Sequence, residues 1–268
     1  MSREPTDSGA RLRLGGPERP GEGEQQKLWF NHRDRGIVLA LVVSLVLWQL
    51  PAGGLVLYPF KLLATWMHEI SHGLVMALSG AGFDSLKIYR DTSGIAYASA
   101  GTGEVGRAAI ASAGYVGASL FGAVLLVMAQ TGRACRIALG VLAVAMGLSA
   151  FIWIDNQFGE LVGYGGAVAF GLAALLLPER WASWALSFVA AQACVNAVLD
   201  IRVLFRPQLM INGEVVRASD AHKMAEASFG SPTMWAAIWL GFSFVCFFVA
   251  LRVIYLRERD ASRSASRS

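Results

Sequence analysis

The sequence predicts an all-α polytopic membrane protein of six or seven transmembrane helices, with a small β-hairpin following the helix that carries His68 and His72. Three observations predict it. Of the 268 residues, 55% are hydrophobic and 16% charged, whereas a soluble domain carries about 25% charged residues. The apolar residues gather in runs near the ~20 residues that cross a hydrocarbon core. Between residues 82 and 104 the pattern changes to a period of two around a turn sequence, as paired strands require.

Taken in order, residues 1–35 are rich in Gly, Pro, Arg, Glu and Ser and read as a disordered polar tail. The first apolar run starts only at Gly36, and no small-residue cleavage pattern follows it, so a cleaved signal peptide is not expected. A membrane domain then spans residues 36–256. Its first run, Gly36 to Leu50, ends at the turn sequence Pro51-Ala-Gly-Gly54. Leu55 to Leu78 forms the second, interrupted by Pro59 and Lys61. The hairpin at 82–104 pairs Leu86-Lys-Ile-Tyr-Arg90 with Gly94-Ile-Ala-Tyr-Ala98 across Asp91-Thr-Ser-Gly94. Further apolar segments cover about 107–129, 137–154, 162–177, 181–204 and 234–256. A polar loop at 206–233 includes a short helix from Asp220 to Phe229, capped by Ser219 or Asp220 and ended by Gly230 and Pro232. Residues 257–268 form a polar C-terminal tail.

Arg33 and Arg35 precede the first span, and Arg252, Arg257 and Arg259 follow the last. The positive-inside rule then puts both ends in the cytoplasm and requires an even number of crossings. Trp181, Trp184, Trp235 and Trp239 stand near span starts and read as interfacial anchors. The net charge of +4 is scattered through loops and tails, so no nucleic-acid partner is expected. Cys135, Cys194 and Cys246 are isolated in or beside apolar segments and read as core residues rather than as a thiolate metal site.

The chemistry is concentrated in His68-Glu69-Ile70-Ser71-His72. A helix places His68 and His72 one turn apart on one face, so both imidazoles reach one metal ion, expected to be Zn2+. Glu69, offset around the helix, can take a proton from a water as general base and return it. Ionisable groups within a membrane are costly and usually face an interior with a task to perform. Ser71 has no base and orienting group beside it in the sequence, so it is not read as a nucleophile.

Zinc needs a third protein ligand and an open fourth position. Gln192, Asn196 and Asp200 lie at i, i+4 and i+8 and make one polar stripe on an otherwise apolar helix, which must face protein or water rather than lipid. Asp200 is therefore the favoured third ligand, with Gln192 and Asn196 as supporting or substrate-contacting residues. Asp220 is the alternative; its ordinary reading is a helix cap, and His222 beside it reads as a loop residue. Gly114 and Gly117, in Ala113-Gly-Tyr-Val-Gly117, permit close approach of this helix to the His68 helix.

These residues resemble the site-2-protease superfamily, specifically the M50B-like branch of bacterial membrane metallopeptidases. The resemblance rests on Met67-His-Glu-Ile-Ser-His-Gly73, Asp91-Thr-Ser-Gly94, Ala113-Gly-Tyr-Val-Gly117, Asn156-Gln-Phe-Gly159, Asp200-Ile-Arg and Ser219-Asp-Ala221, over about residues 36 to 250. It implies a zinc-dependent intramembrane endopeptidase, multi-pass in a bacterial inner membrane, that cleaves membrane-protein substrates during regulated proteolysis. His68 and His72 become ligands and Glu69 the catalytic base. Where better-known members carry an Asn-Pro-x-Pro-x-x-Asp-Gly type of segment, this chain has Asn196-Ala-Val-Leu-Asp200.

Two other readings share these residues. A non-catalytic membrane scaffold or transporter of the same fold also carries polar groups in helix interiors, and a zinc hydrolase could act on a non-protein substrate. The hairpin, in the protease reading, would offer an edge to an extended substrate.

Overall fold

The computed structural model describes residues 42–44, 46–201, 209–216 and 219–265. The N-terminal tail, the start of the first apolar run and Arg202 lie outside the described residues. Helices α1 (Val42–Gln49) and α2 (Gly53–Leu78) meet at a bend of 120°. Pro51 stands in that bend, where its missing N–H breaks the helical ladder. The two first apolar runs are thus limbs of one bent pair. Strands β1 (Phe83–Ile88) and β2 (Gly94–Ala98) follow as an antiparallel hairpin. Then come α3 (Glu104–Met128), α4 (Gly132–Ile152), α5 (Gln157–Leu176) and α6 (Glu179–Ile201). A second hairpin, β3 (Leu209–Ile211) and β4 (Glu214–Val216), leads into the short helix α7 (Asp220–Ala227) and the long helix α8 (Pro232–Ala265).

Among the described residues five helices, α3, α4, α5, α6 and the Pro232–Arg257 part of α8, are long and apolar enough to cross a membrane. The bent pair brings the number to six at most, fewer than the seven apolar runs counted in the sequence. The helix α8 also continues to Ala265, through residues read as a tail. Several long apolar helices make this an integral, multi-pass membrane protein.

Helix α3 lies at the centre, packed against α2, α6, α7 and α8. Its small residues allow this. A β-carbon on Gly122 would come within 2.9 Å of the Cys194 sulfur and 3.1 Å of the Cys194 nitrogen on α6. On α2 the apolar face Leu62, Leu63, Trp66, Met67 and Ile70 is buried in the main core, and Trp66 Nε1 donates to Ser149 Oγ of α4 at 2.8 Å. The helices α4 and α5 pair with each other at the side, and Arg136 donates to the carbonyls of Ala174 and Leu177, satisfying the open end of α5. Two residues of the polar stripe of α6 face protein: Gln192 and Asn196 are buried, Gln192 donates to Ser44 Oγ at 2.7 Å, and Asn196 donates to the Phe60 carbonyl at 3.3 Å, while Asp200 is exposed. The three cysteines are free.

Trp239 departs from the interfacial reading. It is 3% exposed and stacks on Tyr115 with ring centroids 5.1 Å apart. A span-start tryptophan is indistinguishable in sequence from one that turns inward to fill a gap between helices.

The β1–β2 hairpin is fixed along one edge and at its turn. The free edge of β1 pairs with the chain after α4: Leu86 N–H donates to the Trp153 carbonyl at 2.8 Å, and Asp155 N–H to the Leu86 carbonyl at 3.0 Å. The Asn156 side chain completes that edge, donating to the Ile88 carbonyl at 2.7 Å and accepting from its N–H at 3.2 Å. The turn is tied to α2: Tyr58 donates to the Arg90 carbonyl at 2.7 Å, and Thr65 to the Thr92 carbonyl at 2.6 Å.

The second hairpin lies in the segment whose composition predicts a polar loop. Its turn is Asn212-Gly213, both with positive φ, 51° and 78°, the pair that a two-residue hairpin turn prefers. The three-residue strands on either side are too short to stand out by alternation.

Candidate metal centre

Helix α2 presents His68 and His72 toward α3 one turn apart, and α7 brings Asp220 to both. The Asp220 Oδ2 lies 3.2 Å from His68 Nε2 and 3.3 Å from His72 Nε2. The two Nε2 atoms are 3.0 Å apart. Among the described residues these three are the group whose ligand atoms gather closely enough to hold a metal ion. A tetrahedral zinc with bonds of about 2.0–2.1 Å has ligand atoms about 3.3 Å apart, so the triangle fits one face of such a site.

The donor chemistry also fits. His72 Nδ1 lies 2.6 Å from the Ile110 carbonyl. A carbonyl only accepts, so Nδ1 carries the proton and Nε2 is left as the ligand atom. His68 is packed edge-on against Tyr115, centroids 4.6 Å apart. The carboxyl of Asp220 is held well below the usual carboxylate range. Burial favours its neutral form, but His72 and His68 outweigh that by charge and hydrogen bonding. Its second oxygen, Oδ1, lies 3.4 Å from Lys223 Nζ.

Two glycines keep the site open. A β-carbon on Gly114 would collide with the imidazoles of His68 and His72, so α3 passes the ligands with bare backbone. A β-carbon on Gly94, at the start of β2, would come within 2.7 Å of Glu69 Cγ and 3.1 Å of Glu69 Oε1. The strand thus lies directly against the Glu69 side chain, which is itself buried. Gly117 does the same against Ser71, whose hydroxyl is spent on the Met67 carbonyl at 2.6 Å.

Asp200, the aspartate favoured by the sequence, lines the same cavity but does not belong to the three-residue cluster. It sits at the end of α6, whereas α7 folds back across α3 and carries Asp220 inward. The amphipathic packing of α7 does this: Ala221 and Met224 are buried with Ala111, Tyr115 and Trp239. Ser219 makes no cap bond to the helix backbone; its hydroxyl pairs with His222 Nδ1 at 2.8 Å. His222 is exposed and takes no part in the cluster.

The cavity, about 1180 Å³, is lined by His68, Glu69, His72, Asp220, Asn196, Asp200, Lys61 and the β2 residues Gly94, Ile95, Ala96 and Ala98. Gln192 is turned away from it toward Ser44. No local pattern marks the roles of Ile110 and Thr65, whose contacts exist only once α3 and the hairpin pack on α2.

The peptidase M50B-like family model matches residues 37–250, most of the chain. The chain belongs to that family. All of His68, Glu69, His72 and Asp220 lie within the matched segment. No curated protein and no solved structure matches the chain. Membership of a membrane peptidase family and a His–His–Asp cluster together support a metal-dependent hydrolase.

Proposed function

We propose that this protein is a zinc-dependent intramembrane endopeptidase that hydrolyses peptide bonds of membrane-protein substrates. The observation that carries the reading is the triangle of His68 Nε2, His72 Nε2 and Asp220 Oδ2, with edges of 3.0, 3.2 and 3.3 Å, beside a buried glutamate at the next position after His68. His68, His72 and Asp220 would hold the zinc. When bound, zinc would lower the pKa of a water toward ~7 and polarise the scissile carbonyl.

Glu69 takes the proton from the attacking water and returns it to the departing amine. The Ile110 carbonyl keeps the His72 ring in its orientation by holding the Nδ1 proton. An extended substrate lies along β2. Among the described residues β2 pairs only with β1, and its residues line the cavity wall next to Glu69. Strand addition there would supply main-chain hydrogen bonds without demanding a particular side chain. The small side chains of Gly94, Ala96 and Ala98 leave room for it.

The test is purification in detergent, measurement of bound zinc, and reconstitution into liposomes with a panel of single-span membrane proteins. Cleavage that mass spectrometry maps to a span, and that is abolished by chelation and by Glu69→Gln, supports the proposal. A folded protein that takes up no zinc when zinc is supplied overturns it. A protein that binds zinc but cleaves only non-protein amides or esters overturns the substrate assignment and keeps the hydrolase.

A further inference from the structure

Two of the three metal-site residues stand on α2, and the third arrives on α7, an eight-residue helix. A helix that short is not stable by itself. Its apolar side is docked on α3 and α8 through Ala221 and Met224, while Asp220 is its first residue, at the end joined to the β3–β4 hairpin. The hairpin ends at Val216, four positions before Asp220 in the chain.

The β3–β4 turn is held by the turn of the first hairpin. Asn212 N–H donates to Ser93 Oγ at 3.1 Å. Ser93 Oγ in turn donates to Asp91 Oδ1 at 2.6 Å, and Ser93 N–H donates to the same oxygen at 3.0 Å. Thr92, between them, has φ of 69°, which turns its carbonyl onto Thr65 of α2 at 2.6 Å. Thr65 also touches the Gly94 position together with Glu69. A continuous path of hydrogen bonds thus runs from the His68 helix through the tip of the first hairpin to the tip of the second.

Resting on the metal-site reading above, we infer that Asp91 and Ser93 are positioning residues that clasp the two hairpin tips together and so set where Asp220 stands relative to His68 and His72. A metal site needs its ligand distances within about 0.2 Å of standard values, and Ala221 and Met224 are the buried residues by which α7 is packed. The clasp adds a second anchor to the segment that carries Asp220. It also joins the strand that borders the cavity to the segment that delivers Asp220, so occupation of either is felt at the other.

The experiment uses the full-length protein in detergent. Amide hydrogen exchange over residues 219–227 is read first without metal, in wild type, Asp91→Ala, Ser93→Ala and, as a control at the far end of the same hairpin, Asp84→Ala. Exchange at least ~10-fold faster in the two clasp variants, and unchanged in Asp84→Ala, supports the inference. With metal, the same two variants should bind zinc about 10–100-fold more weakly, the range for groups that orient ligands. Their Co2+ forms should show an altered visible spectrum. A disulfide between Ser93→Cys and Asn212→Cys should restore slow exchange, and its reduction should release it, which covers the case in which Asp91→Ala fails to fold. Wild-type exchange rates over 219–227 in Asp91→Ala and Ser93→Ala would overturn the clasp. Because this arm needs no metal, a wild type without zinc would overturn the proposed function and not the clasp.

Discussion

His72 Nδ1–H donates a hydrogen bond to the Ile110 carbonyl at 2.6 Å and so turns Nε2 toward His68 and Asp220. The carbonyl belongs to α3, one turn before Gly114, the residue whose missing side chain makes room for both imidazoles. One helix therefore orients a ligand and clears the space in front of it. The site should therefore be sensitive to residues that bear no ligand atom.

Gly114→Ala should lose the metal although all three ligand residues are retained in the sequence. The added methyl would occupy the position of the two imidazole edges, and a ligand cannot yield without leaving the triangle. Bound zinc measured by mass spectrometry should fall from near one per chain to near zero, while detergent-solubilised protein stays folded by circular dichroism.

The two aspartates separate cleanly. Asp220→Asn should weaken zinc binding by more than about 100-fold, beyond the 10–100-fold seen for groups that only orient ligands. Asp200→Asn, in the same cavity but outside the cluster, should keep the metal. Competition with a chelating dye checks both; the reverse pattern would return the third-ligand role to Asp200.

Glu69→Gln keeps size and packing but cannot accept the proton. Zinc content should match wild type, and turnover should fall by at least about 10²-fold, the usual contribution of a general base. Gly94→Val should give a milder version of this phenotype, because the side chain would press on Glu69 rather than on the ligands.

The clasp has a pH signature. Partial burial pushes the Asp91 carboxyl up, but the Ser93 hydroxyl and the N–H groups of Ser93 and Gly213 outweigh it and hold it below its ordinary value. Tyr89, the titratable neighbour, is pushed up by burial and stays neutral. A carboxyl whose folded pKa is depressed contributes stability that is complete above its unfolded value of about 3.9 and disappears as pH falls through the folded value. Exchange in metal-free α7, corrected for intrinsic rates, should be flat from about pH 8 to about pH 5 and rise only below about pH 4. A rise centred near neutral pH would show that another group holds the segment.

The sequence by itself determined the class, the first hairpin and the two histidines of the His–His–Asp cluster. Apolar runs of membrane length, alternation around Asp91-Thr-Ser-Gly94, and histidines at i and i+4 are all local periodicities, and they survive in any packing. The second hairpin lay hidden in the polar 206–233 segment, because the strands beside Asn212-Gly213 are too short to mark. The choice between Asp200 and Asp220 belonged to the tertiary structure. Both are acids next to plausible helices, and only the docking of Ala221 and Met224 against α3 brings one of them to the histidines. The same holds for Trp239, drawn inward to stack on Tyr115, and for Gly114, an ordinary small residue until α3 meets α2. Local pattern fixes what a segment is; which segments touch is decided by packing between residues far apart in the chain.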